Sequence, residues 1–192
     1  MVERSATGHD ARRHERKVSR RAILRAGLIA GTGFGSAMLF GSQTRANSLP
    51  PPNGEVLLKV SGRIENTSDG EHAYFDRAML ESIGLWNVNT STPWSNAPNR
   101  FEGVLARDLL RAVGAKGDRV TAKALNDYVI DIPIADFLKY PVILAIKKDD
   151  NYLKIRDKGP IQIVYPRDSY AELNSPRYSQ KWVWHLSELI VK

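Results

Sequence analysis

From Tyr128 to Ile134 the chain alternates: Tyr128, Ile130, Ile132 and Ile134 fall on one face, with Val129, Asp131 and Pro133 on the other. A period of two predicts a half-buried strand. Arg119 to Leu125 reads as its partner, with Asn126-Asp127 as the tight turn between them. A helical period governs Val104 to Ala115, where Val104, Leu105, Leu109, Leu110 and Val113 recur and Gly114 marks the stop. Asp76 predicts the cap of a short helix through Ile83, with Gly84 behind it. Val56 to Val60 reads as a strand, Ala135 to Tyr140 as one helical turn stopped by Pro141, and Val142 to Ile146 as a buried strand. Lys147 to Asn151 follows as a hairpin loop, then strands at Tyr152 to Ile155 and Ile161 to Pro166. Lys181 to Val191 is a closing strand of alternating aromatic and apolar residues. Many short strands, a few short helices and abundant turn residues predict an α+β domain with mostly antiparallel, mixed sheet.

Charge changes the picture once it is located. The chain of 192 residues has a net charge of +7, a value that suggests a nucleic-acid or membrane partner. Residues 1–46, however, hold nine Lys/Arg and three Asp/Glu, while residues 47–192 hold 19 and 18. The basicity belongs to the first segment, and the expectation is no nucleic-acid partner. That segment reads as an export leader. Ser19-Arg20-Arg21-Ala22-Ile23-Leu24-Arg25 resembles a twin-arginine translocation motif, and a Gly-diluted apolar span runs from Ala26 to Phe40. Small residues at Thr44 and Ala46 fit cleavage after Ala46, which implies a periplasmic location. The alternative, an uncleaved anchor, needs about 18 or more apolar residues. Residues 47–54, with Pro50, Pro51 and Pro52 in sequence, read as a stiff linker, and residues 55–192 as one folded domain.

The stretch with the most chemistry is Trp86 to Trp94, a strand that ends in Thr90-Ser91-Thr92-Pro93-Trp94. The Asn-, Pro- and Ser-rich run Ser95 to Gly103 reads as a loop before the helix, which would place three hydroxyls and an indole where ligands are often contacted. Here the chain resembles the molybdopterin-binding oxidoreductase domain of the sulfite oxidase type, in particular small exported relatives that bind a pterin without being redox enzymes. Phe101-Glu102-Gly103-Val104-Leu105-Ala106-Arg107-Asp108-Leu109-Leu110 is similar to the family's "W-x-G-V-P-L-x-x-L-L" segment, and Trp94 stands where the family has a Trp. The resemblance continues in order through Asn126-Asp127-Tyr128, the Gly159-Pro160 strand and the final Trp-containing strand. In the enzymes a Cys a few residues before the Trp binds molybdenum; here that position is Thr90, and the chain has no cysteine at all. A hydroxyl is a poorly ionised donor in place of a thiolate, so the resemblance implies a pterin ligand with no metal.

A pterin is a flat heterocycle with a guanidine-like edge. It needs an aromatic face to stack on, a carboxylate for that edge, and hydroxyls or an Arg for its carbonyl and side chain. The resemblance puts Trp94, Asp127 or Asp157, Thr90, Ser91, Thr92 and Arg156 near the cleft, with Asn126, Tyr128, Lys158 and Tyr165 behind them. Each has a plainer alternative: core packing for Trp94, local capping for the hydroxyls, an ion pair for Asp157. Trp182 and Trp184 read as packing residues. Residues 47–192 hold two histidines, His72 and His185, on separate predicted elements, too few for a zinc site of about three protein ligands. Ser91 has no G-x-S-x-G turn around it to make it a nucleophile. Two functions follow: a periplasmic pterin-binding regulator whose partner, by the resemblance, is the periplasmic domain of an inner-membrane cyclic di-GMP enzyme, or a molybdopterin-dependent oxidoreductase with an altered metal shell.

Overall fold

Two five-stranded sheets share one hydrophobic core in the computed structural model, which describes residues 48–192. The segment read as a twin-arginine leader, with the cleavage point expected after Ala46, lies outside the described residues. Ten strands follow in chain order: β1 (Leu58–Gly62), β2 (Ala73–Phe75), β3 (Leu85–Thr92), β4 (Ser95–Leu105), β5 (Arg119–Ala124), β6 (Val129–Pro133), β7 (Ile143–Lys148), β8 (Asn151–Tyr152), β9 (Gln162–Val164) and β10 (Leu186–Val191). Four short helices are interspersed: α1 (Arg77–Ile83), α2 (Ala106–Ala112), α3 (Ile134–Lys139) and α4 (Pro176–Ser179). The first sheet runs β2-β1-β10-β5-β6, with β1 and β10 parallel and the rest antiparallel. The second runs β3-β4-β7-β8, with β9 also against β7, all antiparallel. The predicted α+β class with mixed, mostly antiparallel sheet holds.

Local rules place several elements. The Asp76 carboxylate accepts from Met79 N–H at 2.9 Å and so caps α1. Asp127 takes the left-handed conformation (φ 63°) that closes the β5–β6 hairpin, which Asp tolerates better than most residues. Gly103 is fixed by crowding: a Cβ there would lie 2.0 Å from the Leu144 carbonyl oxygen, so only glycine lets β4 approach β7 this closely.

Four expectations need correction. Ser95–Leu105 is a strand, not a loop, because Pro93-Trp94 makes the turn and the polar run pairs back onto β3, Thr90 opposite Asn99. Before Phe101 this arm has β3 as its neighbour and not yet β7, which suits its polar residues and tolerates Pro98. The domain does not start at Glu55 after a separate stiff linker, since residues 48–54 are bonded to it: Leu49 N–H donates to Thr67 C=O, and Asn53 and Gly54 N–H both donate to the Asp76 carboxylate. The strand after the β7 hairpin ends at Tyr152, since the chain turns into a 3-10 turn over Ile155–Asp157. The closing strand begins only at Leu186, because His185 (φ 54°) turns the chain where its N–H meets Lys158 C=O and its Nδ1 meets Gly159 O.

Candidate functional site

A β-bulge starts the site. The β3–β4 register shifts between Thr90 and Thr92, which takes Ser91 out of the ladder. Its freed N–H donates to Asp168 Oδ2 at 2.6 Å and its hydroxyl to Oδ1 at 2.5 Å. Asp168 N–H in turn donates to Thr90 Oγ1 at 3.1 Å, and Arg167 Nη1 to Thr92 C=O at 2.5 Å. Thr90 and Ser91 are therefore buried and occupied in fastening the 3-10 turn Arg167–Ser169 to the hairpin. The Thr92 hydroxyl accepts from Trp94 N–H at 3.3 Å, the local cap weighed above.

The fastened hairpin holds Trp94 out at its tip, 51% exposed, so core packing is not its role. The indole divides two clefts. The polar one, about 480 Å³, takes in Thr92, Asn99, Arg156, Asp157, Lys158 and Gln162. The aromatic one, about 260 Å³, takes in Asn126, Tyr128, Gln180, Trp182 and Trp184. Trp94 meets Trp184 at 4.4 Å and Trp182 at 6.2 Å between ring centroids, both edge-on. The Lys158 ammonium lies 3.9 Å from the Trp184 ring centre and 4.9 Å from that of Trp94, a cation–π arrangement at the partition itself. Burial lowers the pKa of Lys158 below the ordinary lysine value, with Lys148 adding to the effect.

Seven of the residues singled out from the sequence thus converge: Thr92, Trp94, Asn126, Tyr128, Arg156, Asp157 and Lys158. Thr90 and Ser91 sit behind them. Asp127 is at the exposed tip of its turn and lines neither cleft. Tyr165 is fully buried elsewhere, its hydroxyl 3.3 Å from Asp136 Oδ2, and burial first, then that carboxylate, holds it protonated well above the usual tyrosine range. Asp157 also meets Arg156 Nε at 3.5 Å, so the ion-pair alternative describes one of its contacts.

Trp182, Trp184 and Gln162 are among the further cleft residues that the sequence pattern did not assign to a site. Trp182 and Trp184 line the aromatic cleft instead of only packing, and their indole N–H groups are buried with no hydrogen-bond partner. A donor left so costs roughly 1–3 kcal/mol. Gln162 lines the polar cleft while only 3% exposed. A glutamine inside the apolar run Ile161 to Tyr165 was the signal for it.

The donor set tests the cofactor that the fold family carries. Its metal does not fit the residues present: Thr90, which the resemblance sets at the family's thiolate position, is a buried hydroxyl already accepting a hydrogen bond, and the chain contains no cysteine. The organic part does fit, since a half-exposed indole and a polar cleft with a carboxylate meet at one place.

Comparison with known proteins agrees at the level of fold. The family described as "Oxidoreductase molybdopterin binding domain" matches residues 76–187. Among solved structures, the sulfane dehydrogenase SoxCD from Paracoccus pantotrophus is similar, with a TM-score of 0.53 and 16% identity over 70% of this chain. The match spans 37% of the SoxCD chain, so this protein corresponds to a part of it. No curated protein matches in sequence. With more than half of its length matched and a sulfite-oxidase-like arrangement of sheets, the chain belongs to the oxidoreductase molybdopterin-binding domain family.

Proposed function

We propose that the Trp94 cleft binds a free pterin and that the protein works as a ligand-loaded regulator instead of a redox enzyme. Its place of action is the periplasm, and its partner the periplasmic domain of an inner-membrane enzyme of cyclic di-GMP metabolism. The observation that carries the ligand half is the division of labour around Trp94. The position where the family keeps a metal-binding thiolate is a buried threonine used to fasten a loop, while the indole four residues on stands half-exposed between two clefts. The heterocycle stacks on Trp94, Asp157 accepts from its guanidine-like edge, and Gln162 and Arg156 face its carbonyl and side chain. The periplasmic half rests on the paired arginines Arg20-Arg21 ahead of a weakly apolar span. The regulatory half rests on the family resemblance.

A molybdopterin-dependent oxidoreductase with an altered metal shell is the second reading, and the family match and the likeness to a sulfane dehydrogenase favour it. Elemental analysis joined to mass spectrometry of the small molecule that co-purifies separates the two. The expected result is a pterin mass with no stoichiometric molybdenum. About one molybdenum per chain retained through gel filtration would move the enzyme to the front.

A further inference from the structure

Away from Trp94 a groove of about 340 Å³ opens between the β1 and β10 end of the first sheet and the segment Leu153 to Pro160. Three large apolar side chains line it in the open: Val56, 46% exposed, Leu125, 56%, and Ile155, 66%. Pro160 continues the apolar surface, over the buried side chains of Leu153 and Leu186. Residues this exposed leave much of their apolar surface in water, and their gathering in one groove is what marks an interaction surface. The rim is basic, with Lys59, Arg77 and Lys154 against Glu55. Lys59 is already held by Glu188 at 2.9 Å; among the described residues Arg77 and Lys154 have no carboxylate partner.

That charge selects the occupant. The chain's own first 46 residues carry a net positive charge and would meet like charge at the rim. A second copy docked face to face would oppose two basic rims. An acidic segment with a large apolar anchor complements both the floor and the rim.

The groove also shares its wall with the cleft. In the strip Leu153 to Pro160, Arg156, Asp157 and Lys158 line the polar cleft, whereas Lys154, Ile155 and Pro160 line the groove, and Leu153 lines both. The strip is tied into one body: Asp157 and Gly159 N–H both donate to Lys154 C=O at 2.8 Å. A second path runs along the backbone, where His185 N–H donates to Lys158 C=O and Leu125 N–H to His185 C=O. We propose that this groove is a docking site for an acidic, apolar-anchored segment of a partner protein, and that cleft occupancy is felt there through the Leu153–Pro160 strip. The docking site stands on the groove alone; the coupling rests on the pterin reading above.

The test selects random peptides of about twelve residues, displayed on phage, against the whole chain, with Ile155→Asp, Leu125→Asp and Lys154→Glu as comparison targets. All three positions are exposed, so the core is untouched. Enriched peptides should pair Asp or Glu with a large apolar residue and lose about tenfold or more in affinity on each variant. Enrichment without an acidic bias, or equal binding to Ile155→Asp, overturns the docking site. So does a dimer of the parent chain that Ile155→Asp dissociates, which assigns the groove to a second copy. For the coupling, the best peptide is titrated with and without saturating tetrahydroneopterin, and a shift of about threefold or more is expected in either direction. An unchanged peptide affinity on a chain that has bound the pterin overturns the coupling. A chain that binds no pterin yet selects acidic peptides through Ile155 overturns the ligand reading and the coupling, and supports the docking site.

Discussion

At the scale of single residues, Asp168 occupies the hydrogen-bonding groups of Thr90 and Ser91 that were expected to meet a ligand. Both its oxygens accept from Ser91, one from the N–H and one from the hydroxyl, and its own N–H donates to the Thr90 hydroxyl. Asp168→Ala is expected to speed hydrogen exchange at the Ser91 amide by about tenfold or more, since that N–H then has no partner in the ladder or outside it. Unchanged exchange at that amide would mean that the bulge holds itself. The two carboxylates weighed for the guanidine-like edge now part company. Asp157 lines the polar cleft and Asp127 sits on an exposed turn. Asp157→Asn should weaken pterin binding by about tenfold, as loss of a charged hydrogen-bond pair does, and Asp127→Asn by less than about twofold. Calorimetric titration of both variants checks this, and equal effects would remove the carboxylate assignment.

At the scale of elements, Asp76 joins the start of the described chain to α1. Its oxygens accept from Met79, Asn53 and Gly54, so one side chain caps the helix and anchors residues 48–54. The backbone bond from Met79 first, then that from Gly54, lowers its pKa below the ordinary carboxylate value. A depressed folded pKa contributes stability that is present above the unfolded value of about 4 and is lost as pH falls through the folded one. Melting followed from pH 7 down to pH 2 should therefore show a part of the acid loss that Asp76→Asn lacks, and Asp76→Ala should melt about 2–6 °C lower at pH 7. The segment that carries Gln180 and Trp182 into the aromatic cleft is pinned by Lys181, whose ammonium meets Asp136 Oδ2 at 2.5 Å with both side chains buried. Lys181→Met alone is expected to cost about 3–5 kcal/mol, because it strands a buried carboxylate. Lys181→Met with Asp136→Leu should recover most of that loss in denaturant melts, and a double variant no more stable than the single one would contradict the pairing. Elements closed by their own residues were legible in the sequence: the Asp76 cap, the Asn126-Asp127 hairpin, the Gly114 stop. The arm Ser95–Leu105 was not, because its strand conformation comes from pairing with β3 and not from its own Asn-, Pro- and Ser-rich composition.

At the scale of the whole molecule, the family was legible because its segments keep their order along the chain, and the match over residues 76–187 bears that out. Much of the site was legible for the same reason, since Trp94, Arg156, Asp157 and Lys158 lie on segments the resemblance brought to one place. Its back wall was not. Thr90 and Ser91 meet a partner more than seventy residues away, and no local pattern records that distance. Trp182 and Trp184 looked like strand packing until the chain proved to turn at His185 ahead of β10, leaving both indoles against Trp94. What unites these observations is a single aromatic partition with a cleft on each side. Titration of the purified chain with tetrahydroneopterin, followed by calorimetry and by quenching of indole emission, tests it most directly. Saturation at one equivalent is predicted, with affinity about ten- to a hundredfold weaker in Trp94→Ala, a loss of roughly 1–3 kcal/mol of stacking, and an intermediate value in Trp94→Phe. Because Trp94 is half-exposed, the Trp94→Ala melting curve should stay close to the parent's. A well-folded Trp94→Ala that binds the pterin as tightly as the parent, or a parent chain that binds none, would contradict the account.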